Sequence, residues 1–159
     1  MTYTSPHREL WLPILAELLG CPVAEITLTE GSDTPALRAA DMHARIDGFV
    51  HWGNRVEFLG VRCLPDQGYT TWTANAEEAR KGREAHGNAL RPMWTFIAYH
   101  DEGRITAAAL IRDEDLLPLY TQPVRAYLPR RNKSGELFWW ISWSETPSAR
   151  VWRALVEVT

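Results

Sequence analysis

Between Asp41 and Trp52 two sets of residues alternate: Met42, Ala44, Ile46, Gly48, Val50 and Trp52 against Asp41, His43, Arg45, Asp47, Phe49 and His51. This is the two-residue period of a β-strand with one apolar face and one face carrying an acid, cations and imidazoles. Gly53-Asn54 reads as a two-residue hairpin turn, Gly53 supplying the positive φ that a type II′ turn requires. With Trp52 facing Arg55, paired positions sum to 107, so Asp47 stands opposite Gly60, Arg45 opposite Arg62 and Phe49 opposite Phe58. Cross-strand partners share a face. Asp47, Gly60 and Arg62 therefore lie together, with His43 and Arg45 at the same end, while Glu57 pairs with Val50 and points the other way. A carboxylate among guanidinium groups has two readings. One is an ion pair on a half-exposed sheet face; the other is a phosphate-handling site in which Arg supplies bidentate donors. His43 and His51 read as strand-edge histidines, and Glu57 as a surface acid.

Other residues suit the same chemistry. There are 8 Trp in 159 residues, and Trp139, Trp140 and Trp143 fall in one segment, where Trp139 and Trp143 share a face that Trp140 opposes. Such rings stack on bases, anchor a protein partner, or form core on one face. Arg130-Arg131-Asn132-Lys133 is a turn that offers cations to phosphate. The net charge of −3 hides an asymmetry: after Tyr120 six basic residues meet three acidic ones, a surplus of +3 that leaves −6 on the first 120 residues. That pattern suits local contact with phosphates and does not suit a protein that coats nucleic acid non-specifically. Fifteen of the 17 cations are Arg, a bias that genomic base composition or a thermophilic source also explains. Cys21 and Cys63 have no CxxC spacing and no flanking His pair, so they read as reduced packing residues. Nucleophile-elbow, zinc-hydrolase and dinucleotide motifs are absent, and Lys81-Gly82-Arg83 and His86-Gly87-Asn88 lack the context of a phosphate loop.

The elements around these residues follow from periodicity and turn chemistry. Ser5-Pro6 signals a helix start, and Leu10, Trp11, Ile14, Leu15, Leu18 and Leu19 recur at helical spacing up to a stop at Gly20, with Pro13 bending the helix or delaying its start. Strands are expected over 25–29, 41–52, 55–63, 69–73, 93–100 and 105–111, the last two joined through Asp101-Glu102-Gly103-Arg104. Helices are expected over 75–86, capped by Asn75, and over 113–119, capped by Asp113. The tail offers strands over 124–128 and 137–143, a turn at Asn132 to Gly135, and a final helix starting within 144–147. No stretch approaches 18 uncharged apolar residues and the start carries no signal pattern, so a cytoplasmic protein with no membrane partner is the expectation. The length suits a single domain over 1–159 of α+β class, a central mixed sheet flanked by helices.

A helix, a strand with Asp, a hairpin, a strand with a functional tripeptide, a third strand, a helix and a strand: this α-β-β-β-α-β order resembles the core of the PD-(D/E)xK nuclease superfamily, which includes restriction-endonuclease-like enzymes and Holliday-junction resolvases. The resemblance spans residues 6–111, with 112–159 as an appended hairpin partner, strands and helix, and rests on Arg45-Ile46-Asp47-Gly48 and Phe58-Leu59-Gly60-Val61-Arg62. Asp47 matches the metal-binding Asp. Gly60-Val61-Arg62 stands where the superfamily has an acid, any residue, and Lys, so the acid is missing and Arg62 replaces the Lys. The resemblance implies Mg²⁺ or Mn²⁺ held by Asp47 and a second acid, with Glu9 on the first helix the better candidate. Glu17, Glu30, Asp33 and Asp41 are others, as is Glu57 in a shifted register. Catalysis would then fall to Asp47, Arg62 and Glu9, and nucleic-acid contact to Arg45, Arg62, Arg130, Arg131 and Lys133. Two neighbouring cations oppose metal binding, and Arg cannot serve as a base near neutral pH. The resemblance thus leads to two expectations. The first is a phage- or mobile-element-type nuclease acting on structured or branched DNA by metal-dependent phosphodiester hydrolysis. The second is an inactive module on the same scaffold that binds DNA or a protein partner. A homodimer through Phe49 and Phe58 belongs to the same picture.

Overall fold

The computed structural model describes residues 7–29, 46–75, 92–121 and 130–155. Helix α1 (Arg8–Leu19) opens the chain, followed by a 3-10 turn (Val23–Glu25) and strands β1 (Ile26–Leu28), β2 (Gly48–His51), β3 (Val56–Pro65), β4 (Thr71–Asn75), β5 (Trp94–Asp101) and β6 (Arg104–Arg112). Helix α2 (Asp113–Thr121), β7 (Arg130–Arg131), β8 (Leu137–Ser142), a 3-10 turn (Trp143–Glu145) and β9 (Arg150–Arg153) complete it. Six strands form one mixed sheet in the order β1-β2-β3-β5-β6-β9, and three form a small sheet, β4-β8-β7. In the large sheet only β3 and β5 run parallel. The described residues are thus α+β, with two helices beside a mixed six-stranded sheet.

The helix ends as its sequence dictates. Gly20 adopts φ 77°, its N–H donates to the Ala16 and Glu17 carbonyls, and the Cys21 N–H also reaches Ala16, which satisfies carbonyls the last turn leaves open. Pro13 lies inside α1, and the Ser5-Pro6 start signal lies outside the described residues. The β2–β3 hairpin keeps the expected register, with Gly48 facing Leu59, Phe49 facing Phe58, Val50 facing Glu57 and His51 facing Val56. Gly53 sits at φ 68° in its turn. Gly48 is also required by its neighbours: a Cβ there would lie 2.9 Å from the Thr27 carbonyl oxygen and 3.1 Å from Leu28 Cδ2. Because the nearer obstacle is backbone, Gly48→Ala is expected to cost about 1–3 kcal/mol, read as a lower urea midpoint with an unchanged m-value.

Alternation along the strands divides the interior into two layers. Leu59, Val61 and Cys63 of β3, Trp94, Phe96 and Ala98 of β5, and Ala108 and Leu110 of β6 pack with Trp11, Ile14, Leu15 and Leu19 of α1. On the other face Ile97, Tyr99, Ala107, Ala109 and Ile111 pack with Leu116 of α2 and with Trp72, Ile141 and Trp143 from the small-sheet region. Both cysteines are free, and burial pushes the Cys63 thiol up to about 11, as suits a packing residue.

Two expected elements are placed differently. The strand expected over 69–73 does not continue a three-stranded meander; it becomes β4 of the small sheet, and β5 takes the place beside β3. Trp94 through Tyr99 are buried on both faces except Thr95, the pattern of a central strand, whereas Thr71-Trp72-Thr73 buries one side chain. The final helix expected from 144–147 is instead a 3-10 turn followed by β9, where Arg-Val-Trp-Arg pairs along β6. Val and Trp favour strands, and Trp152 packs against the α1 layer. The strand expected over 124–128 lies outside the described residues, as does the helix expected over 75–86 apart from Asn75, which ends β4.

Candidate nucleic-acid interface

Asp47 precedes β2 and stitches three strands together. Its carbonyl accepts from the Thr29 N–H at 2.9 Å, its N–H donates to the Leu59 carbonyl at 2.7 Å, and its Oδ2 accepts from the Val61 N–H at 2.7 Å. Beyond the end of β2, the carboxylate thus serves a β3 amide that a strand partner would otherwise serve. Gly60, at the position where the nuclease motif carries an acid, has its Cβ direction closed: a Cβ there would meet Pro92 Cγ at 3.2 Å. A carboxylate at 60 would have to displace the Pro92 ring.

Arg62 is exposed, and its Nη1 donates to Thr73 Oγ1 of β4 at 2.7 Å. Thr73 stands directly opposite Trp140 of β8, so their Cβ atoms are about 5 Å apart on one face. Phe138 lies two residues earlier on that face, and the two rings have centroids 6.0 Å apart. As the sequence indicated, Trp139 packs with Trp143 toward the core while Trp140 points away. On the main sheet Phe58 shares the face of Arg62, and it meets Phe49 edge-on with centroids 5.4 Å apart. Beside the small sheet, Tyr99 donates to the Thr71 carbonyl at 2.8 Å; burial pushes its phenol up, against lowering by Thr71 and the Arg62 charge.

The remaining sequence candidates are scattered. Glu9 is exposed on the first turn of α1. His7, at the head of that helix, stacks on His100 with centroids 3.9 Å apart. His100 pairs with Pro65, five residues along β3 from Gly60, which is about 16 Å at about 3.3 Å per residue. The fold therefore does not bring Glu9 to Asp47. Arg131 is exposed and donates to the Gly135 carbonyl at 2.7 Å, and Lys133 is exposed in the β7–β8 turn. Arg130 opens β7 opposite Phe138. His51 shares a 3.1 Å hydrogen bond with Thr27. Arg45, His43, Glu30, Asp33 and Asp41 lie outside the described residues. Among the described residues no donor set for a hard divalent cation forms at Asp47: its Oδ2 accepts from an amide, glycine stands in place of the second acid, and Arg62 in place of Lys.

One cluster carried no sequence signal. Glu57, expected at the surface, is only 7% exposed on the α1 side. Trp94 Nε1 donates to its Oε1 at 3.4 Å and Arg112 Nη1 to its Oε2 at 3.1 Å, with Arg55 Nη2 3.9 Å away. The Arg112 guanidinium lies 4.2 Å from the Trp94 ring centroid and that of Arg150 5.4 Å, while Arg150 also donates to the Leu18 carbonyl at 2.7 Å. Burial pushes the Glu57 carboxyl up, yet the Trp94 and Arg112 hydrogen bonds and the Arg112 charge outweigh it, leaving the group below its ordinary value. The cluster ties β3, β5, β6 and β9 together and offers no free carboxylate. No protein-family model matches the chain, and no curated protein or solved structure matches it either.

Proposed function

We propose that this chain binds structured DNA without cutting it, on a nuclease-like scaffold kept for recognition. The observation that carries the reading is the 2.7 Å hydrogen bond from the Val61 amide to Asp47 Oδ2. The carboxylate a metal would need serves a sheet amide, and an acid at position 60 would have to push the Pro92 ring aside. Exposed guanidinium groups remain for phosphate, Arg62 foremost.

The test measures binding and cleavage together on duplex, single-stranded and four-way-junction DNA, with Mg²⁺, Mn²⁺ or EDTA. The expected result is binding of similar strength with and without metal, and no product. Asp47→Ala is expected to lose about 1–2 kcal/mol of stability, because a sheet amide loses its acceptor, while its affinity at a temperature where it stays folded is unchanged. Metal-dependent cleavage that disappears in Asp47→Ala would overturn the proposal, and so would failure to bind any of the three DNAs.

A further inference from the structure

We propose that the face of the small sheet bearing Phe138 and Trp140 is a platform for unpaired nucleobases, with Arg62 holding the phosphate beside them. This rests on the DNA-binding reading above and names the form of DNA taken. Alternation along β8 sends Ile141 into the core, with Trp139 and Trp143 on that side, and leaves two half-buried rings on the opposite face. Among the described residues, Phe138 and Trp140 touch each other and belong to neither buried layer.

Charge placement favours nucleic acid over an apolar protein segment. Arg62 reaches the hydroxyl of Thr73, the residue facing Trp140, and spends one guanidinium nitrogen on Thr73. A guanidinium carries five N–H donors. Arg131 and Lys133, both exposed, lie at the end of the sheet where β7 turns into β8. Aromatic rings with cations beside them suit single strands, because every base has a π-face and every nucleotide a phosphate.

Spacing favours an unpaired strand over a duplex. The ring centroids are 6.0 Å apart, wider than the ~3.4 Å rise between stacked bases of a B-form strand. Consecutive bases meet both rings only when the strand is drawn out of its stack, and a duplex presents base edges, not base faces, to a protein surface.

The experiment uses the full chain with a fluorescent 12-nucleotide oligo-dT and a blunt duplex of the same length, followed by anisotropy at several salt concentrations. The single strand is expected to bind more tightly. Trp140→Ala is expected to weaken it by about 5- to 100-fold, the range for losing one base stack, while Trp140→Phe, which keeps a ring, stays within a few-fold of wild type. Arg62→Gln is expected to weaken binding and reduce the salt slope by about one phosphate contact. Far-UV circular dichroism checks each variant; should Trp140→Ala not fold, Trp140→Phe and Arg62→Gln still decide. Duplex preferred over single strand, with Arg62→Gln leaving the single-strand affinity and salt slope unchanged, overturns the platform and leaves the DNA-binding reading standing. No binding to either DNA overturns both and points to a protein occupant.

Discussion

Trp72→Ala is expected to lower the unfolding free energy by about 3–5 kcal/mol, a fall of roughly 10–15 °C in melting temperature for a chain of this size. The indole is 1% exposed and packs 5.8 Å from the Trp143 ring, with Ile141 as its cross-strand partner. It is a buried ring of β4 in the layer shared with Ile97, Tyr99 and Ile141. Truncation leaves a large void and removes the 2.9 Å hydrogen bond from Trp72 Nε1 to Thr146 Oγ1. Trp72→Phe separates the two contributions. Thr146 keeps its own 2.8 Å bond to the Trp143 carbonyl, so its hydroxyl is not stranded, and a loss of about 1–2 kcal/mol is expected. Urea unfolding followed by near-ultraviolet circular dichroism reads both. If Trp72→Ala unfolds at the wild-type midpoint, the small sheet is not docked through this residue. The proposed platform would then lose its rigid support.

Arg112→Ala carries the next largest effect, about 3 kcal/mol at neutral pH. Removing one member of a buried pair costs about 3–5 kcal/mol because the other charge stays behind. The lower end applies because the Arg112 side chain is 38% exposed and resolvates partly in the wild type. Glu57 would keep Trp94 at 3.4 Å and Arg55 at 3.9 Å. The pH dependence has a definite sign. The wild-type carboxyl lies below its ordinary 4.5 in the folded protein, so its contribution is complete above pH 4.5 and is lost as pH falls through the lower folded value. The deficit of Arg112→Ala is therefore full at pH 7 and shrinks below pH 4.5, where the carboxyl protonates and burial no longer strands a charge. Urea midpoints at pH 7, 5 and 3.5 test this. A deficit that is the same at all three pH values would rule out the charge pair as its source.

The hairpin was legible because its information is local. Alternation, a Gly-Asn turn and one arithmetic sum place Phe49 against Phe58 and Val50 against Glu57, and every pair of β2 with β3 obeys it. Gly20, Gly53 and the Asp101–Arg104 turn were legible for the same reason, each reporting a backbone conformation that few residues adopt. Strand partners were not. Nothing within 69–75 states that β4 pairs with a strand more than sixty residues later, or that β5 displaces it beside β3. Glu57 failed for a related reason: its environment is made by Trp94 and Arg112, 37 and 55 residues away. The alternation placed Asp47 beside the Gly60–Arg62 stretch but was silent on the Val61 amide, because strand periodicity assigns a face and not a hydrogen-bond partner. Arg62 was marked for phosphate before its neighbours Thr73 and Trp140 were visible from either segment.

The borders of the main sheet bear on how the molecule resists edge-to-edge association. The interior strands β3, β5 and β6 run ten, eight and nine residues. Residues 105–111 of β6, Ile-Thr-Ala-Ala-Ala-Leu-Ile, are uncharged and free of proline, the composition of a segment that templates fibrils when laid bare. That stretch is covered on its outer side by β9, only four residues long, with exposed Arg150 and Arg153 at its two ends. At the opposite border β1 has three residues. Short terminal strands, one of them flanked by cations, give an incoming chain little to extend. Losing the last dozen residues would strip this guard from β6 and leave the chain prone to aggregate, whatever remained of the sites elsewhere.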